Sequence, residues 1–133
     1  VKRMLAFSGI SHAGFMLMTL IGTQISAGTL LYYGTAYAFA GIGAFSVILY
    51  VCRHLENEDI VNFQGLGKSN PFLAFVLTTS LLSMAGIPIF AGFFAKLMLF
   101  SQVLESGHLA LVIVAVVNSI IAVGYYFKLI LAM

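Results

Sequence analysis

Residues 71–103 read PFLAFVLTTSLLSMAGIPIFAGFFAKLMLFSQV, an apolar run whose one charged residue is Lys96 and whose middle holds Ala85-Gly86-Ile87-Pro88. Neither feature suits a water-soluble helix or a simple membrane anchor. A bilayer core about 30 Å thick is crossed by roughly 20 apolar helical residues. This stretch is longer than that, and it carries its own interruption. Proline lacks an amide donor and clashes with the carbonyl one turn back, so the Gly86–Pro88 step predicts a broken helix. In lipid, backbone freed by such a break is tolerated only where protein or water lines it. A plain proline kink is the simpler alternative.

Three more apolar stretches flank this one, at about 4–21, 29–52 and 108–133. None alternates with period two, which excludes membrane strands. The expected fold is therefore all-α: a polytopic transmembrane helix bundle of about four spans, the third (71–103) broken near Gly86 and Pro88. The whole chain reads as one transmembrane segment. The stretch from Thr23 to Gly28, with Gln24 and Ser26, links the first two spans, and Glu105-Ser106-Gly107 the last two. The long connection runs from Arg53 to Asn70 and holds Glu56, Glu58, Asp59 and Lys68. Ser69-Asn70-Pro71 reads as a helix start, with Ser69 or Asn70 capping and Pro71 in the first turn.

If the ends alternate sides, Lys2, Arg3, Arg53, Lys68 and Lys128 all fall on one side. Apart from Lys96, no Lys or Arg remains for the other. That asymmetry predicts that the N-terminus and the Arg53–Asn70 loop face the cytoplasm or its equivalent. Tyr125 and Tyr126, beside Lys128, look like an interfacial aromatic belt.

Composition agrees. Of 133 residues 62% are hydrophobic and 8% charged, against roughly a quarter charged in average globular domains. The lipid bilayer is the implied solvent. A net charge of +2 gives no argument for nucleic acid. A single cysteine, Cys52, excludes an intrachain disulfide framework. The chain starts at Val1 without an initiator and stops at Met133 within an apolar run, so an internal fragment of a longer polypeptide, or a trimmed chain, is expected.

Lys96 and His12 are the candidate site residues. An intramembrane lysine costs several kcal/mol unless it faces a partner or a hydrated cavity. A lysine that can lose and regain a proton there is a relay element. The competing reading is snorkelling: on a straight helix from Pro71, Lys96 would lie about 25 residues along, roughly 37 Å, near the far interface. The break would bring it inward. His12 sits near the middle of the first span and shares a helical face with Ser8, Ser11 and Thr19. Histidine can both give and take a proton near neutral pH, although a lone buried histidine is more often a hydrogen-bonded packing residue. His12, His54 and His108 have no metal-ligand spacing, so no metal is expected. Ser8, Ser11 and Ser83 are supporting polar positions. Ser80, Asn118 and Ser119 are polar too, and interhelical hydrogen bonding is their simplest use. Tyr33 and Tyr37 share a face of the second span. Gly34, Gly41 and Gly43, with Ala38 and Ala40, would allow close helix contact. No phosphate loop, dinucleotide fingerprint, nucleophile elbow or cysteine cluster is present.

Three blocks, in order and spanning nearly the whole chain, resemble the antiporter-like membrane subunits of NADH:quinone oxidoreductase, complex I. Residues 2–14, KRMLAFSGISHAG, are similar to the family's KRLLAYSSISHAG. Residues 82–96, LSMAGIPIFAGFFAK, are similar to its LSLAGIPPxAGFxGK. Asn118-Ser119 with Tyr125-Tyr126-Phe127-Lys128 resembles its NSxxSxYYYLR. Phe7 and Gly9 stand where Tyr and Ser are usual, Ile89 where Pro is, and Ala95 where Gly is; these bear on the shape of the break. Longer paralogues carry HAxFKAxLF in the second span. Here Tyr37 and Gly41 stand where that His and Lys would be, so the N-type (subunit 2) branch is the nearer resemblance.

The resemblance implies a proton-translocating subunit of a translocase enzyme. Lys96 would end the proton path, His12 would relay to it, and Gly86 and Pro88 would form the break. The family's earlier glutamate and paired lysines have no counterpart here, so this chain would hold the outlet half of a path. Redox chemistry and the cofactors NADH, FMN, Fe-S clusters and quinone would belong to other subunits. Partners would be other membrane-arm subunits, lipid and protons. The location would be a bacterial inner (plasma) membrane or an organellar one. The same blocks occur in subunits of multi-subunit Na+/H+ antiporters and membrane-bound hydrogenases. An alternative of another class is a structural membrane scaffold, with Lys96 snorkelling and His12 packing.

Overall fold

The computed structural model describes residues 1–21, 27–57 and 59–133. Six helices order them: α1 (Lys2–Met18), α2 (Ala27–Val51), α3 (Leu66–Ser69), α4 (Pro71–Ala85), α5 (Ala91–Glu105) and α6 (Leu109–Ala132), with a 3-10 turn at Ile60–Phe63 before α3. No strand occurs among the described residues. The four sequence stretches thus become α1, α2, the pair α4 and α5, and α6. Two helices, α2 and α6, are long and apolar enough by themselves to cross a membrane. The link at Gln24 and Ser26, and Glu58 of the long connection, lie outside the described residues.

The third stretch is broken. α4 ends at Ala85, and Gly86 takes the left-handed conformation at φ 82, which glycine adopts without a Cβ penalty. The Gly86 N–H donates to the Ser83 carbonyl and the Ile87 N–H to the Leu82 carbonyl. That pair of bonds is a Schellman closure of the helix end. Ile87, Pro88, Ile89 and Phe90 carry the chain to α5. Ile89 sits at φ 97, a value that proline's ring, held near −65°, does not reach. The turn therefore differs in shape from one built on the family's usual proline. Gly92 is pressed against the Ser83 backbone, where a Cβ would collide with the Ser83 carbonyl oxygen. Its N–H donates to Ser83 Oγ at 3.3 Å.

Two apolar clusters build the bundle. One joins α2, α4 and α6 through Ala44, Ile48, Leu77, Leu81, Tyr126 and Leu129, with Phe63 from the long connection. The other joins α1, α2, α5 and α6 through Phe15, Tyr33, Leu99, Val103, Val112 and Ala115. Tyr37 packs against both. The outer surface is apolar: Phe39, Phe72, Phe75, Ile10 and Leu131 are all exposed. In water, apolar area this extensive marks a protein or membrane contact surface.

Three expectations are corrected. Neither Ser69 nor Asn70 caps α4 with its side chain; Ser69 Oγ bonds back to the Gly65 and Leu66 carbonyls of α3 instead. Pro71 does occupy the first turn. Of the second-span glycines, Gly43 is closely approached, by Ser80 of α4, whereas nothing lies within 4 Å of a Cβ built on Gly34 or Gly41. The small-residue contact is one point, because α4 crosses α2 there. Tyr126 is no interfacial residue, being 0% exposed: its place on α6 turns it inward between α1 and α4.

The long connection meets the chain's C-terminal end, with the Gly67 N–H donating to the Met133 carbonyl at 3.2 Å. Lys68 and Lys128 thus belong to one end of the bundle.

Candidate functional site

α4 leaves its last carbonyls without intrahelical partners, as every helix does. Leu82 and Ser83 are served by the turn just described. Met84 and Ala85 are served by a side chain from the next helix: Lys96 Nζ donates to both carbonyl oxygens, at 3.3 Å each. The accounting at this helix end is complete, and it uses a cation at the negative end of a helix dipole. Lys96 is 6% exposed and, among the described residues, is the one buried formal charge. Its stem lies against Gly86, with Cδ 3.0 Å from where a Cβ would stand. Its ammonium is 5.3 Å from the centre of the Phe15 ring, within cation–π range. The straight-helix geometry that made snorkelling attractive is absent, because α5 restarts at Ala91 and Lys96 reaches back to the break.

His12 is 4% exposed and is enclosed by three tyrosines. Nδ1 lies 2.7 Å from the Tyr33 hydroxyl and Nε2 lies 3.2 Å from the Tyr126 hydroxyl. The Tyr37 ring stacks on the imidazole at 4.6 Å. A neutral imidazole donates through one nitrogen and accepts through the other, and a phenol can do either. Both ring positions are therefore satisfied in either tautomer. The Tyr126 hydroxyl also bonds the Ser8 hydroxyl. A continuous chain results: Tyr33, His12, Tyr126, Ser8.

Lys96 and His12 line one cavity of about 10 Å³, together with Tyr33, Tyr37, Ser83 and Gly92. That is about the space of a single water. On the other side of Lys96 a larger cavity of about 240 Å³ is lined by Gly86, Phe93, Phe100 and Ser119. The Ser119 hydroxyl is buried without a partner among the described residues.

The structure thus brings together Lys96, His12, Ser8, Ser83 and Gly86. Pro88 lies in the turn and does not line the cavity, and Ser11 is half-buried, lining a groove with Ser8 and Tyr125 and another against α6. Thr19 caps its own helix through the Met16 carbonyl at 2.7 Å and is not part of the site. Sequence reasoning missed the tyrosine shell. Tyr33 and Tyr37 were visible as a pair four apart, facing one way. Tyr126 carried no local signal, because its partners lie more than a hundred residues away. Among the described residues no three of His, Cys, Asp and Glu gather in a metal-binding group.

The family model described as NADH:quinone oxidoreductase/Mrp antiporter, transmembrane, matches residues 1–122. NADH-quinone oxidoreductase subunit N of Flavobacterium johnsoniae is 74% identical over the whole chain, which covers 29% of that relative. Subunit N of Cytophaga hutchinsonii is 52% identical, again over the whole chain and 29% of the relative. Subunit N of Nitrosomonas europaea is 42% identical over 98% of the chain and 27% of its own length. The chain spans under a third of the length of the curated relatives it matches.

Proposed function

Because the chain belongs to the NADH:quinone oxidoreductase/Mrp antiporter transmembrane family, we propose that it is the part of a subunit N-type polypeptide in which a proton path runs through His12 and Lys96. The supporting observation is one cavity shared by a buried lysine and a buried histidine at a helix break. A proton held on Lys96 is stabilised by the two carbonyls at the end of α4. Any shift of α5 against α4 changes that stabilisation, so a small movement of the break changes how tightly the proton is held. His12 accepts on one nitrogen and donates on the other, passing a proton without rotating. Electron transfer would occur in other subunits of the same membrane enzyme, with NADH, FMN, Fe-S clusters and quinone bound there. The bacterial relatives favour a bacterial inner membrane.

One observation favours a structural reading of Lys96 instead: it completes the hydrogen bonding of α4. Two variants separate the roles. Lys96→Ala removes both the proton carrier and the cap. Lys96→Arg keeps a cationic donor but does not release its proton. In the assembled enzyme reconstituted into liposomes, both are expected to lower protons moved per NADH by roughly half or more while cluster reduction persists. Normal pumping in Lys96→Arg would leave the lysine as a cap only. A sodium-dependent, quinone-independent transport would favour the antiporter branch of the family.

A further inference from the structure

Two of the hydroxyls around His12 do more than enclose it. The chain Tyr126–Ser8 leads away from Lys96, toward the opposite flank of α1. Ser8, itself 1% exposed, forms part of the wall of a groove of about 250 Å³ lined also by Met4, Phe7, Ser11 and Tyr125. That groove lies between the first turns of α1 and the last turns of α6. Lys2 and Arg3 stand within two turns of it on α1, and Lys128 stands three residues from Tyr125. The groove therefore opens near the basic end of the bundle, the end that also carries Lys68. Lys96 lies on the other side of His12.

We propose that Tyr126 and Ser8 form a proton-conducting branch that connects His12 to this groove at the basic end of the bundle. The inference rests on the proton path proposed above and adds an entrance to what the sequence marked as an outlet alone. The protons balance along it. A hydronium in the groove gives a proton to Ser8 Oγ, and is left as water, as the Ser8 O–H passes its own to Tyr126 Oη. The Tyr126 O–H in turn passes its proton to His12 Nε2. Each hydroxyl ends with one proton, the imidazole carries the charge, and nothing is oxidised. His12 then releases the Nδ1 proton to Tyr33 Oη, 2.7 Å away, as the Tyr33 O–H passes its own proton into the cavity shared with Lys96, where a neutral Lys96 amine takes it. Tyr126 and Ser8 act here through His12. A phenylalanine at 126 would fill the same buried space and break the chain. An alanine at 8 would break it one step earlier, and a threonine at 8 would restore the hydroxyl.

The test uses the assembled enzyme in liposomes, with NADH-driven proton uptake followed beside electron transfer. Tyr126→Phe and Ser8→Ala are each expected to slow proton uptake about tenfold, less than the usual loss of a proton-transfer group because water can partly substitute. The double variant should be no worse than either single one, and Ser8→Thr should recover the wild-type rate. Wild-type uptake in Tyr126→Phe, with Lys96→Arg impaired, would overturn the branch and leave the Lys96 path standing. Wild-type uptake in Lys96→Arg would overturn both. If Tyr126→Phe does not assemble, Ser8→Ala decides: a normal rate there, or a loss that Ser8→Thr does not rescue, removes the branch.

Discussion

At the scale of single residues, the site is held by positions with little freedom. Gly92 has the Ser83 carbonyl where a side chain would begin, so the contact between α5 and α4 depends on a missing methyl. Gly92→Ala is expected to destabilise the subunit by about 3 kcal/mol, the upper end for overpacking a close contact. A lower thermal midpoint of the purified complex would show it, and an unchanged midpoint would mean that α5 can slide. Ile89 is the opposite case. It is a β-branched residue at φ 97, 90% exposed, and positive φ is unfavourable for such side chains. Ile89→Gly is expected to raise stability by roughly 1 kcal/mol, the strain released less glycine's own entropy cost. A fall in the thermal midpoint would mean that the Ile89 side chain packs against a neighbouring subunit.

At the scale of elements, the break between α4 and α5 explains why a lysine can sit inside the bundle. Each half is 15 residues long, about 22 Å at 1.5 Å per residue. A single helix would carry Lys96 to about 37 Å from Pro71, near the far interface. Two halves, joined by a left-handed glycine and a four-residue turn, let it turn back to the carbonyls that the break exposes. Break and lysine thus satisfy one another's unmet hydrogen-bonding needs. Removing the lysine should therefore loosen the break. Hydrogen exchange at the amides of residues 86–92 is expected to rise in Lys96→Ala and to stay near wild type in Lys96→Arg.

At the scale of the whole molecule, packing rests on close approach inside and apolar surface outside. Gly43 of α2 meets Ser80 of α4, between Ala40 and Ala44 on one helix and Leu77 and Leu81 on the other. Helices in lipid gain little from the hydrophobic effect against one another, so such close contacts carry much of the association. Gly43→Leu is expected to force α2 from α4 and sharply reduce assembly of the subunit into its complex, read as band intensity on a native gel. Gly34→Leu, at a position with open space around it, is expected to assemble normally.

Much of this was legible in residue order. Four long apolar stretches, holding only Lys96 and Lys128 as charges, determine a helical membrane bundle, because the solvent dictates that every backbone group be satisfied within its own segment. Gly86 and Pro88 mark the break, and Lys96 and His12 stand out because polar groups in lipid are costly. What residue order could not supply is which groups meet. Tyr126 is beside Lys128 in sequence, which suggested an interface, yet α6 turns it against His12 and Ser8. The cap that Lys96 places on α4 was equally hidden, since it depends on the angle at which two half-helices meet. Such contacts join residues far apart in the chain, and only the packing of α1 against α6 and of α5 against α4 decides them.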